Sequence, residues 1–186
     1  MLWAVLVLAL GRGFSSAATA EDPPFVDTKV GSVQLADEAS GKAFVLRFGE
    51  SHPETQFGFA VFSYANASRS ETLELVAHPG GMLHEFMEFR LARTGRGNAR
   101  GTVAAGEASF HSGRGVHLGL SIEELIRLLG KPHDEVPDGG DRTLVYRCTS
   151  PTTCPVLSRV NMPAYEGRYS FQDGALVAFR WGYPYP

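Results

Sequence analysis

Thirteen residues, Leu120 to Pro132, carry a complete local code for one helix, and they constrain the fold more than any other stretch. Ser121 is an N-cap, and Glu124 three residues later completes the reciprocal pair of a capping box. Leu120 and Leu125 flank the cap as a hydrophobic staple. Ile122, Leu125, Ile126 and Leu129 form one apolar stripe. Gly130 supplies a residue able to close the helix, and Pro132 stops any continuation. A short helix with one apolar stripe must bury it against something else, and the flanking segments alternate as strands.

Downstream, Arg142 to Cys148, Glu166 to Phe171 and Ala175 to Trp181 read as strands, the last two joined by a turn around Asp173-Gly174. Upstream, Phe57 to Tyr64 is apolar on both faces, as a central strand would be. Glu71 to Ala77 and Met82 to Leu91 alternate on either side of the turn-forming His78-Pro79-Gly80-Gly81. Ala43 to Phe48, with Phe44, Val45 and Phe48, is a further strand expectation, Val103 to Phe110 a shorter one, and Lys29 to Leu35 alternates weakly. The Pro- and Gly-containing stretch with Asp134, Glu135, Asp138 and Asp141 reads as a polar loop. The expected fold is α+β, mostly antiparallel β. Residues 21–115 form a β-rich unit, and residues 116–186 form a helix packed on a three- or four-stranded meander. Each part is small, so the two are expected to share a core.

The first twenty residues differ from the rest. Leu2 to Leu10 is nearly all apolar, and the small residues Ala18-Thr19-Ala20 precede Glu21-Asp22-Pro23-Pro24. This is the pattern of a removable export signal, residues 1–20, and the apolar run is too short to span a bilayer. Position 21 is Glu, so no lipid-acceptor cysteine stands at the expected cleavage site. The expectation is a periplasmic or extracellular protein with no transmembrane segment in its mature chain. In an oxidising compartment Cys148 and Cys154 are expected to form a disulfide across a loop rich in Pro, Ser and Thr. The formal charge of −3 gives no electrostatic reason to expect nucleic acid or an anionic membrane surface.

The capped helix ending in Leu-Gly-Lys-Pro, followed by strands and a closing Phe-x-Asp-Gly-x-Leu-Val turn at Phe171 to Val177, resembles the SmpA/OmlA family. These are small outer-membrane lipoproteins that serve the β-barrel assembly machine. A similar helix-plus-meander unit occurs, duplicated, in secreted β-lactamase inhibitory proteins. The resemblance covers about residues 116–181. It implies an envelope or secreted protein that binds another protein through the open face of its sheet.

No strong catalytic motif is present. There is no G-x-S-x-G, and His84-Glu85-Phe86-Met87-Glu88 lacks the second histidine of a zinc protease helix. Thr94 to Gly101 is rich in Gly and Arg but lacks phosphate-loop spacing. Arg90, Arg93, Arg96, Arg100 and Arg114 are candidates for a basic patch, against a default of solvated loop residues. Glu50 and Glu54 beside His52 read as surface residues, and Asn66-Ala67-Ser68 is a glycosylation sequon. No catalytic or metal-ligating residue and no cofactor is assigned. The partner candidates are Trp181, Tyr183 and Tyr185, aromatics set among Gly and Pro at the C-terminal end. The expected function is non-catalytic binding of another envelope or secreted protein. The alternative is an exported hydrolase or metal-dependent enzyme with a site assembled from residues such as His84, Glu88 and His111.

Overall fold

The computed structural model describes residues 21–94, 102–138 and 141–185. The expected signal segment, Arg96 and Arg100 of the Gly/Arg stretch, and Pro186 lie outside the described residues. In chain order the elements are β1 (Lys29–Val30), β2 (Val33–Gln34), α1 (Glu38–Phe48), β3 (Glu54–Gln56), β4 (Phe59–Ala65), β5 (Glu71–Ala77), β6 (Phe86–Arg93), β7 (Val103–Ala104), α2 (Ile122–Leu129), β8 (Asp134–Asp138), β9 (Asp141–Cys148), α3 (Val156–Val160), β10 (Tyr165–Gln172) and β11 (Ala175–Gly182). The fold is α+β with mostly antiparallel strands.

Apart from the small β1–β2 hairpin, the strands form one sheet in the order β3-β4-β5-β6-β11-β10-β9-β8, with β7 pairing in parallel with β4. The pairing of β6 with β11 joins the two parts of the chain, with Phe89 opposite Trp181 and Arg90 opposite Arg180. Strand alternation sends Leu73, Leu75, Phe89, Leu91, Phe179, Trp181, Tyr169, Phe171, Leu144 and Tyr146 into one hydrophobic core. Helix α2 contributes Leu125 and Leu129 to it and keeps its full capping box. The Tyr146 hydroxyl ties the helix end to the sheet by donating to the Gly130 carbonyl at 2.9 Å.

Ala43 to Phe48 is not a strand. It is the second half of α1, because the Asp37 carboxylate accepts from the Ala39 and Ser40 amides and starts a helix at Glu38. The face that packs is Gly41, Phe44, Val45 and Phe48, a helical spacing, while Leu46 is 86% exposed. Phe44 meets Phe48 and Tyr64 at ring-centroid distances of 4.7 and 4.9 Å. Gly41 lets the helix approach the 82–86 segment closely, since a Cβ there would lie 2.0 Å from the His84 carbonyl oxygen. That segment is a turn, closed by the Glu85 amide on the Met82 carbonyl, so β6 begins only at Phe86.

Two further expectations change. Asp134 to Asp138 is an edge strand, not a loop. It pairs with β9 from Asp134–Val145 to Asp138–Asp141, and its Pro137 and acids suit an edge, where an unpaired backbone row must be kept from further pairing. Val103 to Phe110 keeps only the two-residue β7 as strand.

The chain from Asp22 to Leu35 is fastened across the C-terminal third. Phe25 stacks on Tyr146 at 5.8 Å. Buried Asp27 accepts from the Lys29 amide, from the Arg114 amide at 2.7 Å and from the Ser112 hydroxyl. The Asp27 amide donates to the Tyr165 hydroxyl at 2.9 Å, and that hydroxyl donates to the Asp27 carbonyl. Every polar group of Asp27 is thereby used, which is what allows a carboxylate to sit in the interior.

Candidate functional site

The open face of the sheet carries the most developed surface feature. Pairing register places Thr72, Ala92, Ala178, Ser170 and Thr143 side by side on β5, β6, β11, β10 and β9. All are small, so they make a floor. The next row on the same face is Glu74, Arg90, Arg180 and Arg168, all long and charged. The step between the rows encloses a groove of about 430 Å³ lined by residues of both.

The charges are organised. Arg90 is held by Glu88 and lies 3.6 Å from Glu74. Glu166 accepts from Arg168 Nε at 2.5 Å and from Arg147 Nε at 2.8 Å, and it lies 3.8 Å from Arg180 Nη2. Among the residues that line the groove, three arginines, Arg90, Arg168 and Arg180, stand against one acid, Glu74, so its lining is net positive. Burial works to raise the Glu166 carboxyl, but the hydrogen bonds and charges of Arg168 and Arg147 outweigh it and hold the group below the usual carboxylate range. Burial dominates at Glu74 and pushes its carboxyl up despite Arg90. The Thr143 and Ser170 hydroxyls pair at 3.0 Å on the floor. The groove therefore offers guanidinium donors and hydroxyls over a flat, partly apolar bed. Its acids are already engaged.

The aromatics expected to face a partner lie elsewhere. Trp181 is 1% exposed and Tyr183 0%. Trp181 is on the core face of β11, stacked on Phe179 at 4.9 Å and edge-on to Phe89 at 5.4 Å. Tyr183 continues that face two residues later, its amide donating to the Met87 carbonyl at 2.8 Å. Strand periodicity persists past the last formal strand residue and draws both rings inward. Only Tyr185 is substantially exposed, at 53%, in a cluster with Phe59 and His78.

The other sequence candidates separate. Cys148 and Cys154 form a disulfide with S–S at 2.05 Å. Among the described residues no three His, Cys, Asp or Glu side chains converge to hold a metal ion. His84 lies against Phe62 and Phe86, Glu88 is on the open face, and His111 packs on His117 at 5.0 Å. The sequon asparagine is buried. Asn66 accepts from the Ser70 and Glu71 amides and donates to the Ala108 carbonyl, so it organises a turn instead of presenting a glycan site.

Sequence reasoning passed over Arg168, Arg180 and Glu166, although the signal was present. Within the Asp173-Gly174 hairpin, Glu166, Arg168 and Ser170 alternate with core residues, as do Ala178 and Arg180, which places all five on one face. Arg90 falls on one face of the strand expected over Met82 to Leu91 as well as in the candidate basic patch with Arg93, Arg96, Arg100 and Arg114. Among the described residues no helix is long and apolar enough to cross a membrane. No family model matches the chain, and neither does any curated protein or solved structure.

Proposed function

We propose that this chain is a non-catalytic binding protein working outside the cytoplasm, and that it takes a segment of another envelope or secreted protein on the open face of its sheet. The observation that carries this reading is the row of Arg90, Arg180 and Arg168 beside a floor of Thr, Ala and Ser. From β5 to β9 the floor runs about 19 Å at the usual strand spacing. That length takes an extended segment of roughly six residues. The net positive charge favours an acidic segment, with guanidinium groups meeting carboxylates in paired geometry. The disulfide supports an oxidising compartment, as the export-like N-terminal sequence does.

The test places a photocrosslinking side chain at Ala178, in the groove, and separately at exposed Leu46 on α1. Both proteins are expressed in the native host and irradiated in its envelope fraction. A discrete protein adduct from position 178 that is lost in the Arg168→Glu, Arg180→Glu background, with none from position 46, is the expected result. The same adducts from both positions, or none from 178, would remove the reading.

A further inference from the structure

Within the groove of the open face the three arginines are not equivalent. Arg90 Nε is bonded to Glu88, and Arg168 Nε is bonded to Glu166 at 2.5 Å. Arg180 stands between them in register and reaches Glu166 at 3.8 Å from Nη2, beyond hydrogen-bond distance. Its side chain is 47% exposed and lines the groove, so the guanidinium is open to a ligand from solvent. Two residues away along β11, about 7 Å at the strand rise, Ala178 lies opposite Ala92. These alanines are the apolar middle of the floor, and both are partly exposed. On either side the floor carries hydroxyls, Thr72 on β5 and Ser170 and Thr143 on β10 and β9. The groove thus sets one uncommitted cation beside one small apolar seat.

A sheet spends its backbone groups on pairing within its plane, so its face offers a ligand side chains alone. Here the floor hydroxyls already pair, Thr143 with Ser170 at 3.0 Å and Thr72 with Thr94 at 3.4 Å. A segment that runs right across the floor therefore sets its amides and carbonyls against a bed with few partners for them, which costs free energy at each group left dry. A segment that ends at Arg180 crosses only half of the floor and commits fewer. Its terminal carboxylate and its last side chain branch from one Cα, so the two seat together on features about 7 Å apart along β11. An internal Asp or Glu brings the charge without an apolar group on the same Cα. Resting on the reading of this face as a protein-binding surface, we infer that the groove captures the C-terminus of its partner. The terminal carboxylate pairs with the Arg180 guanidinium in the two-bond geometry those groups favour, and an apolar final side chain lies on Ala92 and Ala178.

The experiment is fluorescence anisotropy of the mature protein with short peptides labelled at their N-termini. The first is Gly-Ser-Gly-Ser-Gly-Leu with a free terminal carboxylate, and a companion ends in Phe. The second is each chain as its C-terminal amide. The third, Gly-Leu-Glu-Leu-Glu-Gly, is also an amide, so its only charges are internal. At least one free acid is expected to bind with a dissociation constant below about 1 mM, and its amide about tenfold more weakly or worse. Arg180→Gln is expected to erase the difference between acid and amide. Its melting temperature should be unchanged or higher, because it removes a like-charge pair with Arg168. Ala178→Leu fills the apolar seat and is expected to weaken the acid about tenfold while the protein stays folded. Equal binding of acid and amide, or tighter binding of the internal-acid peptide, overturns the inference and leaves the reading of the face standing. A preference for the acid that survives Arg180→Gln overturns it too, since the carboxylate then sits elsewhere, as does unchanged affinity in Ala178→Leu. Absence of saturable binding by every peptide also overturns it, and the crosslink from position 178 then decides separately whether a protein uses the face.

Discussion

Arg168 and Arg180 stand directly opposite each other on β10 and β11, and Glu166 engages both, at 2.5 and 3.8 Å. Like charges paired across strands are destabilising, so this carboxylate is what allows the arginine row to exist. Removing its charge with Glu166→Gln is expected to cost about 0.5–1 kcal/mol at neutral pH, the exposed partners being screened by solvent. The group's folded pKa is depressed, so its contribution is complete above the unfolded carboxylate range. It fades as pH falls through and below about 4.3. Urea midpoints of wild type and variant should differ at pH 7 and converge under acid.

Glu74, one row-mate of Arg90, is expected to behave oppositely. Its folded pKa is raised by burial, so ionising it as pH rises through that range costs the folded state more than the unfolded one. Glu74→Gln should leave the melting temperature at pH 7 unchanged or higher, with no gain under acid. A clear loss at pH 7 would mean that the Arg90 pair outweighs desolvation there.

Replacing glycine by alanine inside a helix usually stabilises by about 1 kcal/mol. Gly41→Ala in α1 is expected to reverse that sign. The added carbon would meet the His84 carbonyl oxygen at 2.0 Å and the Phe86 ring at 3.0 Å, both in structured chain. Relief requires the helix to move off the turn, at a cost of about 1–3 kcal/mol by analogy with overpacked cores. Chemical denaturation measures it directly.

The C-terminal aromatics separate by burial. Tyr183→Ala is expected to destabilise by about 3–5 kcal/mol, as large-to-small changes of buried aromatics do. Tyr185→Ala should stay within about 1 kcal/mol, because its ring is half exposed against Phe59 and His78. Similar losses at both positions would contradict the inward turn of the strand face.

What the sequence made legible was local. The Ser121 cap and the Asp173-Gly174 turn specify their structures within a few residues, and both form as expected. Helix α1 was hidden because Phe44 and Val45 favour strands, whereas its deciding features are the Asp37 cap about two turns before them and a glycine whose use appears only once His84 lies against it. The acidic run at Asp134 became a strand because an edge position tolerates charge and proline. The groove was illegible for a different reason. Its two rows draw one residue from each neighbouring strand, and the order in which β6 meets β11 is not written in any one segment.

Asp22 and Asp27 find their partners more than eighty residues downstream, at Ser112 and Arg114 for one, and more than 130 downstream, at Val156, Arg159 and Tyr165, for both. Such distant closures come at an entropic cost that local contacts do not carry. On the ribosome, the Asp27 carboxylate therefore waits for residues 112–114, and the Asp22 carboxylate for residues 156–159. The order of synthesis and the order of assembly run in opposite directions, and the native state cannot be sealed before its last third arrives.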